Sequence, residues 1–185
     1  MARTWLALLT ALAAAWAAHA QTAPQLSPPP PSEVAVKADF LPKFARYVEW
    51  PAAARPAPGQ PYQLCVIGQD PFGPRLDQAT ASRMAGRRPM VVRRLSGTEE
   101  ATGCHVAYVH GVIAEDTARL LQALGDRPVL TVTDGETGPA HGMIHFVVQE
   151  GRVGFMIDDA AAAAHGLTIS SRLLALARGV RQRRS

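Results

Sequence analysis

Apolar positions follow two rhythms along this chain. Val34, Ala38, Leu41, Phe44, Ala45 and Val48 recur at helical spacing and predict a helix over 33–49. Pro42 imposes a kink or a late start on it, and Trp50-Pro51 ends it. Short continuous apolar runs then predict strands at 62–68, 89–95, 104–110 and 129–134. Helical patterns fall between them, one reaching Ala79 and one over 115–124, with a short helix starting at Thr98-Glu99-Glu100. After Asp134-Gly135 the rhythm changes. Segments 143–149 and 152–157 read as strands joined by Glu150-Gly151, a two-residue hairpin signal, and helices over 158–165 and 170–177 close the chain. Strands alternating with helices imply a parallel sheet. The expected fold is α/β: a single domain with a mostly parallel central sheet flanked by helices and a late antiparallel hairpin.

The ends of the chain set the organisation. Arg3 precedes an apolar run from Trp5 to Ala18, and Ala18-His19-Ala20 is a small-x-small cleavage site, so residues 1–20 read as a secretory signal peptide cut after Ala20. Residues 21–32, QTAPQLSPPPPS, read as a Pro-rich disordered leader. Residues 33–179 form the domain and 180–185 a basic, solvated tail. Formal net charge is +4, and all basic residues but Lys37 and Lys43 are arginines. They are scattered, with Arg87-Arg88 and Arg93-Arg94 only as pairs, which argues against nucleic-acid binding, as does export.

Export also bears on Cys65 and Cys104. An even pair in an oxidising compartment fits one disulfide; the other reading is two buried thiols that never meet, since Cys65 lies inside an apolar strand. Gly68-Gln69-Asp70-Pro71-Phe72-Gly73 ends a strand ahead of a helix, where doubly wound folds place ligands. Gly68, Asp70, Phe72 and Gly73 are therefore a candidate ligand or partner loop. The same residues also read as a turn and helix cap, with Asp70 as N-cap and Pro71 at the first helical position. His105 and His110 point to opposite faces of one strand, and His141 and His145 meet only if their loop bends. No pattern for a zinc site, a nucleophile elbow or a cofactor appears, so neither catalytic residues, nor a metal, nor a cofactor is expected.

Several segments together resemble the YfiR family of periplasmic proteins. Lys37-Ala38-Asp39-Phe40-Leu41 through Phe44-Ala45-Arg46-Tyr47-Val48-Glu49-Trp50-Pro51 is similar to its opening helix. Leu64-Cys65-Val66-Ile67-Gly68 with Asp70-Pro71-Phe72-Gly73 resembles its first strand and loop, and Cys104-His105-Val106 its mid-chain cysteine strand. Leu130 to Asp134, Gly142-Met143-Ile144 and Gly166 to Leu174 also match, so the likeness spans roughly 34–177.

The resemblance implies a non-enzymatic regulator that binds the periplasmic sensor region of an inner-membrane diguanylate cyclase and restrains cyclic di-GMP signalling. It further implies an outer-membrane lipoprotein that sequesters the regulator, a homodimer, and a bridge between Cys65 and Cys104. A second, later cysteine pair of some members is absent here. The alternative, from a different class, is a periplasmic small-molecule binder using a pocket beside Asp70 and Phe72. Phe40, Tyr47 and Trp50 are a partner patch if exposed and core otherwise.

Overall fold

The computed structural model describes residues 31–81, 88–135 and 139–183. The expected signal peptide, all but the end of the Pro-rich leader, and Arg87 lie outside the described residues.

Helix α1 (Glu33–Phe44) opens the domain, and its N-cap Ser32 accepts a hydrogen bond from the Ala35 amide. It is shorter than the periodicity predicts. Pro42 sits in the last turn, and residues 45–47 tighten into a 3₁₀ turn before the two-residue strand β1 (Val48–Glu49). Val48 thus keeps an inward-facing position, but in an extended backbone that pairs with β8 (Thr168–Ile169).

The remaining strands are β2 (Tyr62–Gly68), β3 (Met90–Leu95), β4 (Val106–His110), β5 (Leu130–Asp134), β6 (Ile144–Gln149), β7 (Arg152–Asp158) and β9 (Gly179–Arg181). They form one sheet in the order β3-β2-β4-β5-β6-β7-β9, in which only β6 and β7 pair antiparallel. The β6–β7 hairpin turns at Glu150 and Gly151, both at positive φ (51° and 68°), as a two-residue loop matching strand twist requires. Helices α2 (Pro74–Ala81), α3 (Ala114–Leu124), α4 (Asp159–Ala164) and α5 (Ser171–Leu174) complete the described elements.

Strand alternation splits the core in two. Leu64, Val66, Val106, Tyr108, Leu130, Val132, Ile144 and Phe146 face α1, α2, α4 and α5. There Phe40 and Phe44 of α1 meet Phe146 and Phe155, with ring centroids 5.2–6.2 Å apart. Cys65, Ile67, Ala107 and Val109 face the other way, with Leu95, Leu124 and Val129, under α3. Trp50 is buried and Phe40 and Tyr47 pack against the core, so the aromatic patch considered above is mainly interior.

Three further expectations change. Thr98 to Cys104 makes successive turns, with Ala101 N–H donating to Thr98 and Cys104 N–H to Ala101, and the short helix is not formed. The last helix spans only Ser171–Leu174, capped by Ser170. Residues 180–181, expected in a solvated tail, belong to β9, which pairs parallel with β7. Arg181 reaches Asp158 at 2.5 Å and Arg183 holds the buried Asp159 through two bonds of 2.7 and 3.2 Å. Those ion pairs bind the C-terminal residues to the start of α4, where Asp158 also caps Ala161.

Candidate binding site

Parallel strands β2, β4 and β5 end together at Gly68, His110 and Asp134. Strand order changes direction here: β3 lies on one side of β2 and β4 on the other, with α2 and α3 on opposite faces. The expected loop leaves this edge. Gly68 has φ +90°, and a Cβ there would stand 2.1 Å from the His110 carbonyl oxygen, so only glycine fits. Asp70 Oδ1 accepts from the amides of Phe72 (2.8 Å) and Gly73 (3.2 Å), an Asx turn. Because α2 starts at Pro74, Asp70 caps the loop rather than the helix, and Pro71 is not its first residue.

The loop is clamped from the sheet edge. Arg94 of β3 donates to Asp70 Oδ2 (2.7 Å), to both Asp77 oxygens (2.7 and 3.2 Å) and to the Gly73 carbonyl (2.8 Å). The Arg94 hydrogen bond holds the Asp77 carboxyl below its ordinary value. Phe72 is buried edge-on against Tyr108, 4.7 Å between centroids. The structure thus joins Asp70, Phe72 and Gly73 in one hydrogen-bonded turn that follows Gly68.

Beneath it lies a group of residues that sequence reasoning missed. Tyr108 Oη donates to Asp134 Oδ2 at 2.6 Å and lies 3.3 Å from His110 Nδ1. Lys37 of α1 donates to the same Asp134 oxygen at 3.1 Å and pairs with Glu33 at 2.5 Å. Burial alone would lower the Lys37 pKa, but Glu33 and Asp134 outweigh it and hold the ammonium above its ordinary value. Burial would likewise raise the Asp134 carboxyl, and Tyr108 and Lys37 pull it below the usual carboxylate range. Both groups are therefore charged at neutral pH, and the network ties α1 to the carboxyl end of β5. A signal was present: Lys37 occupies the apolar stripe between Val34 and Leu41, and Asp134 ends an otherwise buried strand.

On the opposite face His141 and His145 do stack, centroids 3.7 Å apart. Thr133 Oγ1 accepts from the Gly142 amide and lies 2.9 Å from His145 Nδ1. Burial, then the neighbouring His141, hold the His145 pKa down at about 4. His105, by contrast, accepts from the Gln63 amide and takes no part in the His141–His145 stack. No group of three or more metal-ligating side chains occurs among the described residues.

Cys65 and Cys104 form a disulfide, Cα atoms 5.9 Å apart, joining β2 to the approach of β4. A cysteine strand followed by the Asp70 loop, a buried aspartate ending β5 and the Ser170 cap of α5 now stand in one α/β frame, and residues 34–178 match the YfiR/HmsC-like family. The chain belongs to that family. The match opens in α1 and closes just before β9, so it includes Lys37, both cysteines, the Asp70 loop and Asp134. No curated protein matches the chain. Among the described residues no helix is long and apolar enough to cross a membrane.

Proposed function

We propose that this YfiR/HmsC-like protein is a non-enzymatic periplasmic regulator that binds the periplasmic sensor region of an inner-membrane diguanylate cyclase and restrains cyclic di-GMP synthesis. The family match across the whole domain carries this reading. A disulfide fits an oxidising compartment, and the N-terminal sequence fits export to it. The loop from Gly68 to Gly73 is the contact surface we favour, because Arg94 and Asp70 fix its shape before any partner arrives. A homodimer and an outer-membrane lipoprotein that withdraws the regulator belong to the same proposal.

The test is co-purification of inner-membrane proteins with the chain lacking residues 1–20, together with cyclic di-GMP measured in a deletion strain. A cyclase captured on the protein and a raised cyclic di-GMP level are expected. Capture of no membrane sensor, with cyclic di-GMP unchanged on deletion, removes the proposal.

One observation favours a second reading, a small-molecule binder. A cleft of about 410 Å³ opens at the carboxyl ends of β2 and β4, lined by Gly68, Gly97, Thr98, Gly111 and Asp116 rather than by Asp70 and Phe72 as expected. Ligands of doubly wound sheets bind at such switch points. Saturable thermal stabilisation by one metabolite, with no cyclase captured, would favour this reading.

A further inference from the structure

Two groups of arginines differ in their partners. Arg94, Arg119, Arg181 and Arg183 pair with carboxylates. Arg55, Arg88, Arg93 and Arg127 bond main-chain carbonyls instead, and no carboxylate among the described residues. Arg55 Nε donates to Trp50 O at 2.7 Å, and Arg88 Nη1 to Pro56 O at 2.6 Å. Arg93 donates to Thr102 O and Glu100 O at 3.0 and 2.9 Å, and Arg127 Nη1 to Thr98 O at 3.3 Å.

These four arginines gather at one place. An open cleft of about 560 Å³ lies at the amino ends of β2, β4 and β5, and Arg55 and Arg127 line it. Arg88 is anchored on Pro56 and Ala57 and Arg93 on Thr102, all wall residues of the same cleft. Among the described lining residues there is no Asp or Glu; Pro61, Pro128 and Val129 give it an apolar side.

Carbonyl anchoring matters chemically. A carbonyl orients a guanidinium without cancelling its charge, and one or two such bonds leave others of its five N–H donors available. Arg55 and Arg127 thus bring two positive charges to a wall that holds no carboxylate, a balance that an anion would favour. His105 completes the wall but adds no charge: it accepts from the Gln63 amide, and burial, followed by Arg88, holds its pKa below the ordinary value. A volume of this size suits a ligand rather than a lone ion.

We infer that this cleft binds a small organic anion, its carboxylate or phosphate held by Arg55 and Arg127 and its apolar body against Pro61, Pro128 and Val129. The inference is independent of the cyclase proposal and concerns the opposite end of the sheet from the Asp70 loop.

Calorimetric titration of the chain lacking residues 1–20 tests it, with phenyl phosphate, phenylacetate, inorganic phosphate and phenol as probes. Saturable binding of phenyl phosphate or phenylacetate is expected, the tighter of the two naming the anionic group. Inorganic phosphate and phenol, each lacking half of the ligand, should bind weaker. Arg55→Gln and Arg127→Gln should each weaken binding about tenfold to a hundredfold, as loss of a charge-assisted hydrogen bond requires. Arg152→Gln, on the distant hairpin, should leave it unchanged. Three results would overturn the inference: no saturable binding by either organic anion, equal binding by Arg127→Gln, or binding of an oligoglutamate peptide alone, which would mark a surface for an acidic protein segment.

Discussion

Lys37 Nζ and Asp134 Oδ2 lie 3.1 Å apart although 97 residues separate them in sequence, and both side chains are almost wholly removed from water. Removing one partner of such a pair leaves the other charge poorly compensated, at about 3–5 kcal/mol. Lys37→Met is therefore expected to lower stability by about 3 kcal/mol in urea unfolding. Lys37→Met with Asp134→Asn should lose less than the sum of the two single changes, because they share one interaction. Linkage adds a pH signature. The folded Asp134 pKa is depressed, so its contribution is present above the unfolded carboxylate value and disappears as pH falls through the folded one. In Lys37→Met the folded value moves up toward the unfolded one, so that acid-dependent loss should shrink.

His145 gives a second acid response of distinct origin. Its folded pKa is about 4, below the ordinary 6.5, because burial disfavours the imidazolium. Protonation then favours the unfolded chain, so the stability contribution is complete above pH 6.5 and declines as pH falls from there to about 4. The loss is on the order of 3 kcal/mol. His145→Gln keeps a hydrogen-bonding group beside the Thr133 hydroxyl and should flatten the unfolding free energy between those limits, measured as urea midpoints at several pH values.

The disulfide closes a loop with a sequence separation of 39. Chain entropy alone assigns it about 4 kcal/mol. Thermal melts with and without dithiothreitol are expected to differ by roughly 10 °C, the oxidised form melting higher. Equal melting temperatures would show that the bridge contributes little.

Trp50 is 2 % exposed and packs against Tyr62 and His105, 5.2 and 5.9 Å away, yet its indole N–H has no acceptor among the described residues. Its contribution is then packing, not hydrogen bonding. Trp50→Phe should cost no more than about 1 kcal/mol, whereas Trp50→Ala should cost about 3–5 kcal/mol, both read by circular dichroism.

What the sequence made legible follows from how each feature is encoded. Strands such as Tyr62–Gly68 and Leu130–Asp134 are contiguous apolar runs, and the Glu150-Gly151 turn is a local signal, so both could be read directly. The two- and three-residue strands β1, β8 and β9 are too short to carry a period; their pairing exists only through long-range register. The Asp70 loop was legible by position, but the Arg94 clamp that spends its carboxylate came from a strand 24 residues away. Lys37 and Asp134 escaped notice because a charged residue in a sequence looks solvent-facing until a distant partner is placed beside it.

The sheet also acts as a partition. Its α1 side holds the aromatic cluster and the Lys37–Asp134 pair, while the Cys65–Cys104 bridge and the paired imidazoles both lie on the α3 side. Reductant and acidification from pH 6.5 to about 4 are unrelated stimuli, yet in this molecule both press on the layer under α3. Amide exchange along α3 is the common gauge on which either would register, whereas the Asp134 carboxylate of the other layer answers only to lower pH.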